Sequence, residues 1–122
     1  MIEFRPVDLE SDYPMFESWW AGHGSAGAPK LILPRGWVAV AGGVCVAVSF
    51  LYNDPAAKIG VIEWTTTNPR CTDKRAMLFG VKGLYKYLED VAAEEGCLAV
   101  ISFVKPNSSE ERIMVKSGWA TS

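Results

Sequence analysis

The longest regular pattern in the sequence is an amphipathic stretch in its second half. Apolar residues recur there at steps of three and four, the spacing of one face of an α-helix. Asp73 stands where an N-cap is expected and Gly96 provides a stop. The spacing predicts a helix from Lys74 to near Gly96 with these residues on its apolar face: Met77, Leu78, Val81, Leu84, Tyr85, Leu88, Val91 and Ala92.

Three runs rich in strand-forming residues precede this helix. Gly42 and Gly43 separate residues 36–40 from residues 44–52, and two such runs around Gly-Gly predict a hairpin. A turn at residues 53–55 then leads into residues 58–67, which are rich in Ile, Val, Trp and Thr. We therefore expect three consecutive antiparallel strands.

The remaining segments complete the order of elements. Residues 2–7 alternate as a first strand does, and Asp12 is a candidate N-cap for a short helix with Pro14 in its first turn. Residues 98–104 predict a short buried strand, and residues 106–109 predict the cap of a last helix. The order is β-α-β-β-β-α-β-α, a fold of the α/β (α+β) class.

Length and composition exclude several classes of protein. The chain has 122 residues, which is the size of one domain, so residues 1–122 are expected to form a single unit. The formal net charge of -2 gives no basic excess for extended nucleic acid binding. No apolar run is long enough to cross a bilayer, and the first residues lack the pattern of a secretory signal, which predicts a cytoplasmic protein.

The three cysteines, Cys45, Cys71 and Cys97, predict neither a disulfide framework nor a metal site. Their number is odd and their spacing is wide, whereas zinc sites use closely spaced pairs. Cys45 and Cys97 lie in apolar surroundings and are expected to be core thiols. Cys71 lies in a polar loop, where a reactive thiol would need a base that the sequence does not identify.

Four features together resemble the GNAT superfamily of N-acetyltransferases, and especially short acetyltransferase-like proteins encoded by tailed bacteriophages. They are residues 62–69, the long helix, the Gly96-Cys97 turn, and Asn107 followed eleven residues later by Gly118-Trp119. The resemblance implies a GNAT-like, mostly antiparallel mixed sheet flanked by helices. The family's closing pair of C-terminal strands is lacking here, so the fifth strand is expected to keep an open edge that a second copy or a partner protein covers.

The same resemblance implies a binding site for acetyl-CoA or another acyl-CoA. In the family a splayed fourth strand pairs with the pantetheine arm, and a loop and helix N-terminus hold the pyrophosphate. Asp73 and Arg75 stand where the family's loop has glycines, so an ordinary solvated loop is the alternative. The implied cofactor-binding residues are Thr65, Thr66, Thr67, Arg70, Thr72, Lys74, Arg75, Ala76 and Asn107.

Acyl transfer to an amine needs a base and an acid. Glu63 resembles a frequent base position of the family, and His23, the only histidine, lies in a glycine-rich loop that would border the acceptor. Either side chain is alternatively a simple surface group. Met114 stands where the family usually has a tyrosine that acts as the general acid, and methionine cannot donate a proton.

Two functions from different classes follow from these observations. The first is an acyl-CoA-dependent N-acyltransferase whose acceptor is an amine of a small molecule or a protein. The alternative is a catalytically inactive GNAT-like scaffold that binds and modulates a host protein.

Trp19 and Trp20 are adjacent on one helix and cannot both face a core squarely, so one of them is expected to line an acceptor pocket or a partner interface.

Overall fold

A computed structural model describes residues 1–54 and 56–120 and contains the predicted order of elements. Pro55, in the predicted turn, lies outside the described residues. The elements are β1 (Ile2–Pro6), α1 (Leu9–Gly22), a 3-10 turn (Lys30–Ile32), β2 (Arg35–Ala41), β3 (Val44–Asp54), β4 (Ile59–Thr67), α2 (Lys74–Glu94), β5 (Ala99–Ser102) and α3 (Ser109–Lys116).

The five strands form one sheet in sequence order, from β1 at one edge to β5 at the other. β1 to β4 are antiparallel neighbours, and β5 runs parallel to β4. The hairpin predicted between β2 and β3 is confirmed, since Gly42 and Gly43 have φ values of 56° and 81°. Two positive φ values are what a two-residue hairpin turn requires. The predicted α/β class, with a mostly antiparallel mixed sheet, is confirmed.

Helices cover both faces of this sheet. α2 buries Leu84, Leu88 and Ala92 against one face, which includes Ala39 and Ala47. α1 packs aromatic side chains against the other face, which includes Val38, Val48 and Phe50. Neighbours such as Val38 and Ala39 belong to different clusters because successive strand residues point to opposite faces.

The first helix begins earlier than the sequence indicated. Its N-cap is Asp8, whose carboxylate accepts a hydrogen bond from the amide of Glu10, and the prediction of Asp12 as the N-cap is wrong. Asp12 is buried inside the helix and accepts two hydrogen bonds from Arg5 of β1, at 2.7 and 3.0 Å. The same carboxylate accepts from the amide of Asp8 at 2.9 Å, so it links the start of α1 to the edge strand β1.

The prediction that residues 98–104 form a buried strand is wrong in extent and in burial. β5 covers only Ala99–Ser102, and the side chains of Leu98 and Phe103 are 83% and 71% exposed. β5 is the last strand of the sheet, and no other strand among residues 1–54 and 56–120 pairs with its outer side.

Cys45 and Cys97, expected in the core, are half-buried free thiols, as is Cys71.

None of the helices in the described part of the chain is both long and apolar enough to cross a membrane.

We expect Asp12→Asn to lower the free energy of unfolding by about 1–3 kcal/mol at pH 7, because a buried acceptor of charged hydrogen bonds is lost. Arg5 holds the pKa of Asp12 below its ordinary value. This stabilisation is therefore complete above the pKa of the unfolded carboxyl, about 4, and is lost as the pH falls through the lower folded pKa. Urea denaturation at pH 7 and at pH 2–3 measures both effects.

Asp90→Asn is the matched control, since Asp90 forms an exposed ion pair with Lys86 at 3.2 Å. Such a pair contributes only about 0–1 kcal/mol. Equal stability of the Asp12 variant and the parent at pH 7 would contradict the structural role of the Arg5–Asp12 pair.

Candidate active site

A β-bulge interrupts β4 halfway along its length. Phe50 of β3 pairs with Glu63 and Val48 pairs with Thr66, so Trp64 and Thr65 together oppose Ser49. Trp64 has a φ of 60°, a left-handed conformation that few large residues adopt. The hydroxyls of Ser49 and Thr65 are hydrogen-bonded at 2.7 Å across the bulge. A bulge of this kind bends its strand and increases the local twist.

β4 and β5 separate at the bulge. Their pairing runs from Ile59 with Ala99 to Ile62 with Ser102 and ends there, although β4 continues to Thr67. The amide of Asn68 donates to the carbonyl of Val46 in β3. Because successive extended residues direct their backbone groups to opposite edges, Thr67 directs its own groups to the open edge. This geometry matches the splayed fourth strand that the resemblance implied.

A cavity of about 430 Å³ occupies the opening between the two strands. Side chains from both faces of the sheet reach it, because the sheet is not continuous there. It contains both predicted bases and the three threonines of β4. Its lining is Trp20, His23, Ser25, Glu63, Trp64, Thr65, Thr66, Thr67, Val81, Ser102, Phe103, Ser109, Glu110 and Ile113.

Glu63 lies half-buried in this cavity, immediately before the bulge. Burial raises the pKa of its carboxyl above the ordinary value, and the negative charge of Glu110 raises it further. A carboxylate whose pKa is raised holds a proton more tightly and is a stronger base. The position predicted from the sequence is therefore placed in an environment that suits proton abstraction.

Glu110 is a site residue that the sequence did not reveal. It lies in the first turn of α3, and its Oε2 accepts a hydrogen bond from the hydroxyl of Tyr85 in α2. Burial raises the pKa of Glu110, while the hydrogen bond from Tyr85 acts in the opposite direction. Burial also raises the pKa of Tyr85, and the neighbouring charge of Glu110 adds to that increase.

The sequence contained only a weak signal for this pair. An acidic residue in the first turn of a helix is ordinarily explained by the helix dipole, and Tyr85 fitted the apolar face of α2. Only the contact between α2 and α3, across 25 residues of chain, brings the two groups together.

His23 lies at the C-terminal end of α1 and contacts β4. Its Nε2 is 3.0 Å from the carbonyl oxygen of Thr67 and 3.2 Å from that residue's hydroxyl. A carbonyl oxygen only accepts, so Nε2 carries the proton and, in the neutral ring, Nδ1 holds the lone pair. His23 thus ties the glycine-rich loop to the open edge of β4 and lines the cavity.

Trp19 and Trp20 are both buried, and Trp20 lines the cavity. The loop after α1 folds over the Trp20 ring at Gly27, where a Cβ would lie 2.4 Å from the ring atom Cε3. Gly27 also has a φ of 69°. A glycine is therefore needed at this position for the loop to close over Trp20.

The loop before α2 is arranged around Asn68 and Asp73. Asn68 accepts hydrogen bonds from the amides of Arg70 and Cys71, at 2.9 and 3.1 Å. Asp73 caps α2, since its Oδ1 accepts from the amide of Ala76 at 3.0 Å. The amide of Ala76 is thus already bonded, whereas those of residues 72–75 have no partner in the described part of the chain.

Seven of the nine implied cofactor-binding residues are divided between two cavities. Arg70, Thr72, Arg75 and Ala76 line a second cavity of about 680 Å³, which shares no lining residue with the first. One guanidinium nitrogen of Arg70 lies 3.1 Å from the hydroxyl of Ser18. The guanidinium of Arg75 lies 5.9 Å from the centre of the Phe79 ring. Lys74 is exposed and lines neither of these cavities.

Asn107 and Met114 also lie outside both cavities. Asn107 has a φ of 62°, and its amide donates to Glu111 at 2.8 Å, so it forms the turn before α3. Met114 is only 4% exposed and packs in the core between α3 and α2. Its position is therefore that of a core residue.

Among residues 1–54 and 56–120, no group of three or more His, Cys, Asp or Glu side chains is arranged to hold a metal ion.

The mixed five-stranded sheet, open beside β4 and followed by the N-terminus of α2, agrees with the fold that the resemblance implied. No protein-family model and no curated protein matches the chain. Solved structures match it at full length. One is a ribosomal-protein-alanine N-acetyltransferase from Brucella melitensis biovar Abortus 2308, at 15% identity, covering 100% of this chain and 93% of that one with a TM-score of 0.71.

Two further structures extend this comparison. The aminoglycoside N-acetyltransferase AAC(6')-Iy in complex with CoA is 15% identical, with 99% and 89% coverage and a TM-score of 0.66. A GNAT-family acetyltransferase from Streptococcus pneumoniae TIGR4 is 12% identical, with 98% and 88% coverage and a TM-score of 0.65. At these identities the comparison establishes the fold, which is that of GNAT acetyltransferases.

We expect Glu110→Gln to lower the pKa of Glu63, because the substitution removes a nearby negative charge. The pKa is expected to stay above the ordinary value of about 4.3, since burial remains. Carbon-detected NMR titration of the side-chain carboxyls measures it.

Glu94→Gln removes an exposed carboxylate of α2 and is the matched control. An unchanged pKa of Glu63 in the Glu110 variant would show that the two carboxylates do not interact.

Proposed function

We propose that the protein is an acyl-CoA-dependent N-acyltransferase that moves an acetyl or related acyl group from CoA to an amine. The single observation that carries the proposal is the opening between β4 and β5, where an unpaired strand edge borders the cavity that contains Glu63. An extended pantetheine arm pairs with such an edge as another strand would. The CoA complex of the similarly folded AAC(6')-Iy supports this choice of cofactor.

The pyrophosphate of the cofactor would lie at the start of α2. The amides of residues 72–75 have no hydrogen-bond partner among residues 1–54 and 56–120, and Arg70, Lys74 and Arg75 supply positive charge. Thr67 and Arg70 are three residues apart, which limits their separation to about 11 Å. One ligand can therefore contact both the open edge of β4 and this loop.

The chemistry requires removal of a proton from the acceptor ammonium, and two groups are placed for it. Glu63 has a raised pKa, and His23 presents Nδ1 while Nε2 is bonded to Thr67. Once neutral, the nitrogen attacks the thioester carbonyl to form a tetrahedral intermediate. Free backbone amides of β4 would stabilise the negative oxygen.

The acceptor fits a small or terminal amine attached to an apolar group. Glu63 attracts a cation, and the rings of Trp20, Trp64 and Phe103 offer apolar and cation–π contacts. Amines of a small molecule and of a protein both satisfy this description. The similarly folded enzymes named for aminoglycosides and for ribosomal-protein alanine make one of each kind reasonable first probes.

The sequence resemblance to phage-encoded acetyltransferase-like proteins supports a further proposal about origin. We propose a bacteriophage protein that works in the cytoplasm of its host.

The second candidate function is a non-catalytic scaffold that binds a host protein. Two observations favour it: the carboxylate of Asp73 occupies the start of α2, where phosphate would bind, and Leu98 and Phe103 are exposed beside the unpaired edge of β5. An exposed apolar edge strand is a site for pairing with another chain. In a homodimer, β5 of a second copy would pair with this same edge, and such a dimer is compatible with either function.

Calorimetric titration with acetyl-CoA and CoA tests the cofactor site. We expect micromolar binding that weakens about tenfold in Arg70→Ala and in Arg75→Ala, because each loses a charged contact to phosphate. Asp73→Asn keeps an N-cap side chain but removes a negative charge, so it is expected to tighten binding about two- to fivefold.

Lys86→Ala is the control, since Lys86 is an exposed cation farther along α2. Absence of CoA binding to the parent protein and to Asp73→Asn would rule out the enzyme and leave the scaffold function, for which a stable complex without acyl-CoA is the expected finding.

Substitution of each base in turn identifies the one used. If Glu63 is the base, Glu63→Gln lowers kcat about 10²–10⁴-fold and removes the acidic limb of the pH profile, while His23→Gln has a smaller effect. The reverse order would assign the base to His23. Initial rates with acetyl-CoA and kanamycin, an alanyl peptide or n-butylamine measure this, with Glu94→Gln as the control. If both variants have the same rate as the parent protein, neither Glu63 nor His23 is the base.

A further inference from the structure

The proposed reaction lacks a proton donor for its last step. When the tetrahedral intermediate collapses, the departing sulfur takes the electrons of the C–S bond and needs a proton to become a thiol. Met114, at the position where the resemblance places a tyrosine, is buried and carries no proton. The titratable side chains that line the cavity are His23, Glu63 and Glu110, and the first two are the candidate bases.

Glu110 is placed so that one carboxyl oxygen is fixed by the protein and the other can donate a proton. Its Oε2 is bonded to the hydroxyl of Tyr85. Its Oε1 has no hydrogen-bond partner in the part of the chain that the structure describes, and the residue lines the cavity. One oxygen of the carboxyl is thus fixed by the protein while the other is open to a bound molecule.

Tyr85 is itself fixed on several sides. The side chain is 2% exposed, and its ring lies 6.1 Å from that of Trp119, measured between centroids. The hydroxyl of Thr65 lies near the phenol and is bonded to Ser49 across the bulge. Tyr85 therefore lies between the bulge, where the thioester would lie, and the carboxyl of Glu110.

We propose that Glu110 protonates the CoA thiolate as it leaves, with Tyr85 as the residue that positions it. This proposal rests on the proposed acyltransferase function and adds a donor to it. The proton moves from Oε1 of Glu110 to sulfur as the C–S bond breaks, which leaves CoA as a thiol and Glu110 as a carboxylate bonded to Tyr85.

The protons balance over one cycle. The acceptor ammonium loses two protons on becoming an amide: the base takes the first, and the second leaves to solvent. When Glu63 is the base, transfer of its proton to the nearby Glu110 carboxylate returns both groups to their starting states. The net products are the amide, CoA as a thiol and one released proton.

The surroundings of Glu110 favour a protonated carboxyl. Glu63 faces it from β4, Tyr85 faces it from α2, and His23 reaches the same cavity from the end of α1. On α3, Glu111 is instead bonded to the amide of Asn107, and Arg112 to the Asn107 carbonyl. Burial raises the pKa of Glu110, and this effect outweighs the opposing effect of the hydrogen bond from Tyr85.

The test measures kcat, KM and the pH profile with acetyl-CoA and the amine probes named above. Glu110→Gln is expected to lower kcat about 10²–10³-fold with KM for acetyl-CoA within about threefold, and to remove the basic limb of the profile. Tyr85→Phe removes a hydrogen bond that favours the charged carboxylate, so its basic limb is expected to move to higher pH. Glu94→Gln is the control.

The outcomes separate the two proposals. A parent protein that acetylates a probe, with Glu110→Gln retaining kcat within threefold, would overturn the role of Glu110 and leave the acyltransferase function intact. A parent protein that neither binds acetyl-CoA nor acetylates any probe would overturn both. If Glu110→Gln does not fold, the shift of the basic limb in Tyr85→Phe decides, and an unmoved limb overturns the proposal.

Discussion

The β-bulge at Trp64 and Thr65 is the constraint on which the rest of this structure depends. The pairing of β4 with β5 ends at Ile62, just before the bulge. The extra residue bends β4 away, and the left-handed conformation of Trp64 directs its ring to the cluster beneath α1 while Thr65 lies near Tyr85. The backbone strain at Trp64 is thus balanced by packing on one face and by hydroxyl contacts near the other.

Close packing of α2 on the sheet places Tyr85 where it can reach the opening. A Cβ at Gly80 would lie 2.9 Å from Val46, and one at Gly83 would lie 2.5 Å from the ring of Phe4. Larger residues at these positions would push the helix outward and withdraw the phenol from Glu110. The glycines in the middle of α2 therefore contribute to the site although neither has a polar side chain.

The order of elements could be predicted because it depends on local patterns, whereas the site depends on contacts between distant segments. Helical spacing and the Asp73 cap located α2, and Gly42 and Gly43 located the hairpin. The prediction of Asp12 as a cap is wrong because its partner, Arg5, lies on β1. The contact between β1 and α1 forms only in the folded chain and leaves no local pattern in the sequence. Glu110 was missed for the same reason, since its burial depends on how α3 packs against α2.

The two ends of the proposed site differ in how well they fit catalysis. At the β4–β5 opening, the two candidate bases, the carboxyl of Glu110 and the edge of β4 line one cavity. At the start of α2, the side chain of Asp73 caps the helix. The negative charge of Asp73 would repel a phosphate bound there. Three cations within residues 70–75 offset that charge only if the anion contacts them directly. The strength of the proposed cofactor binding therefore depends on this loop, whereas the proposed chemistry depends on the bulge.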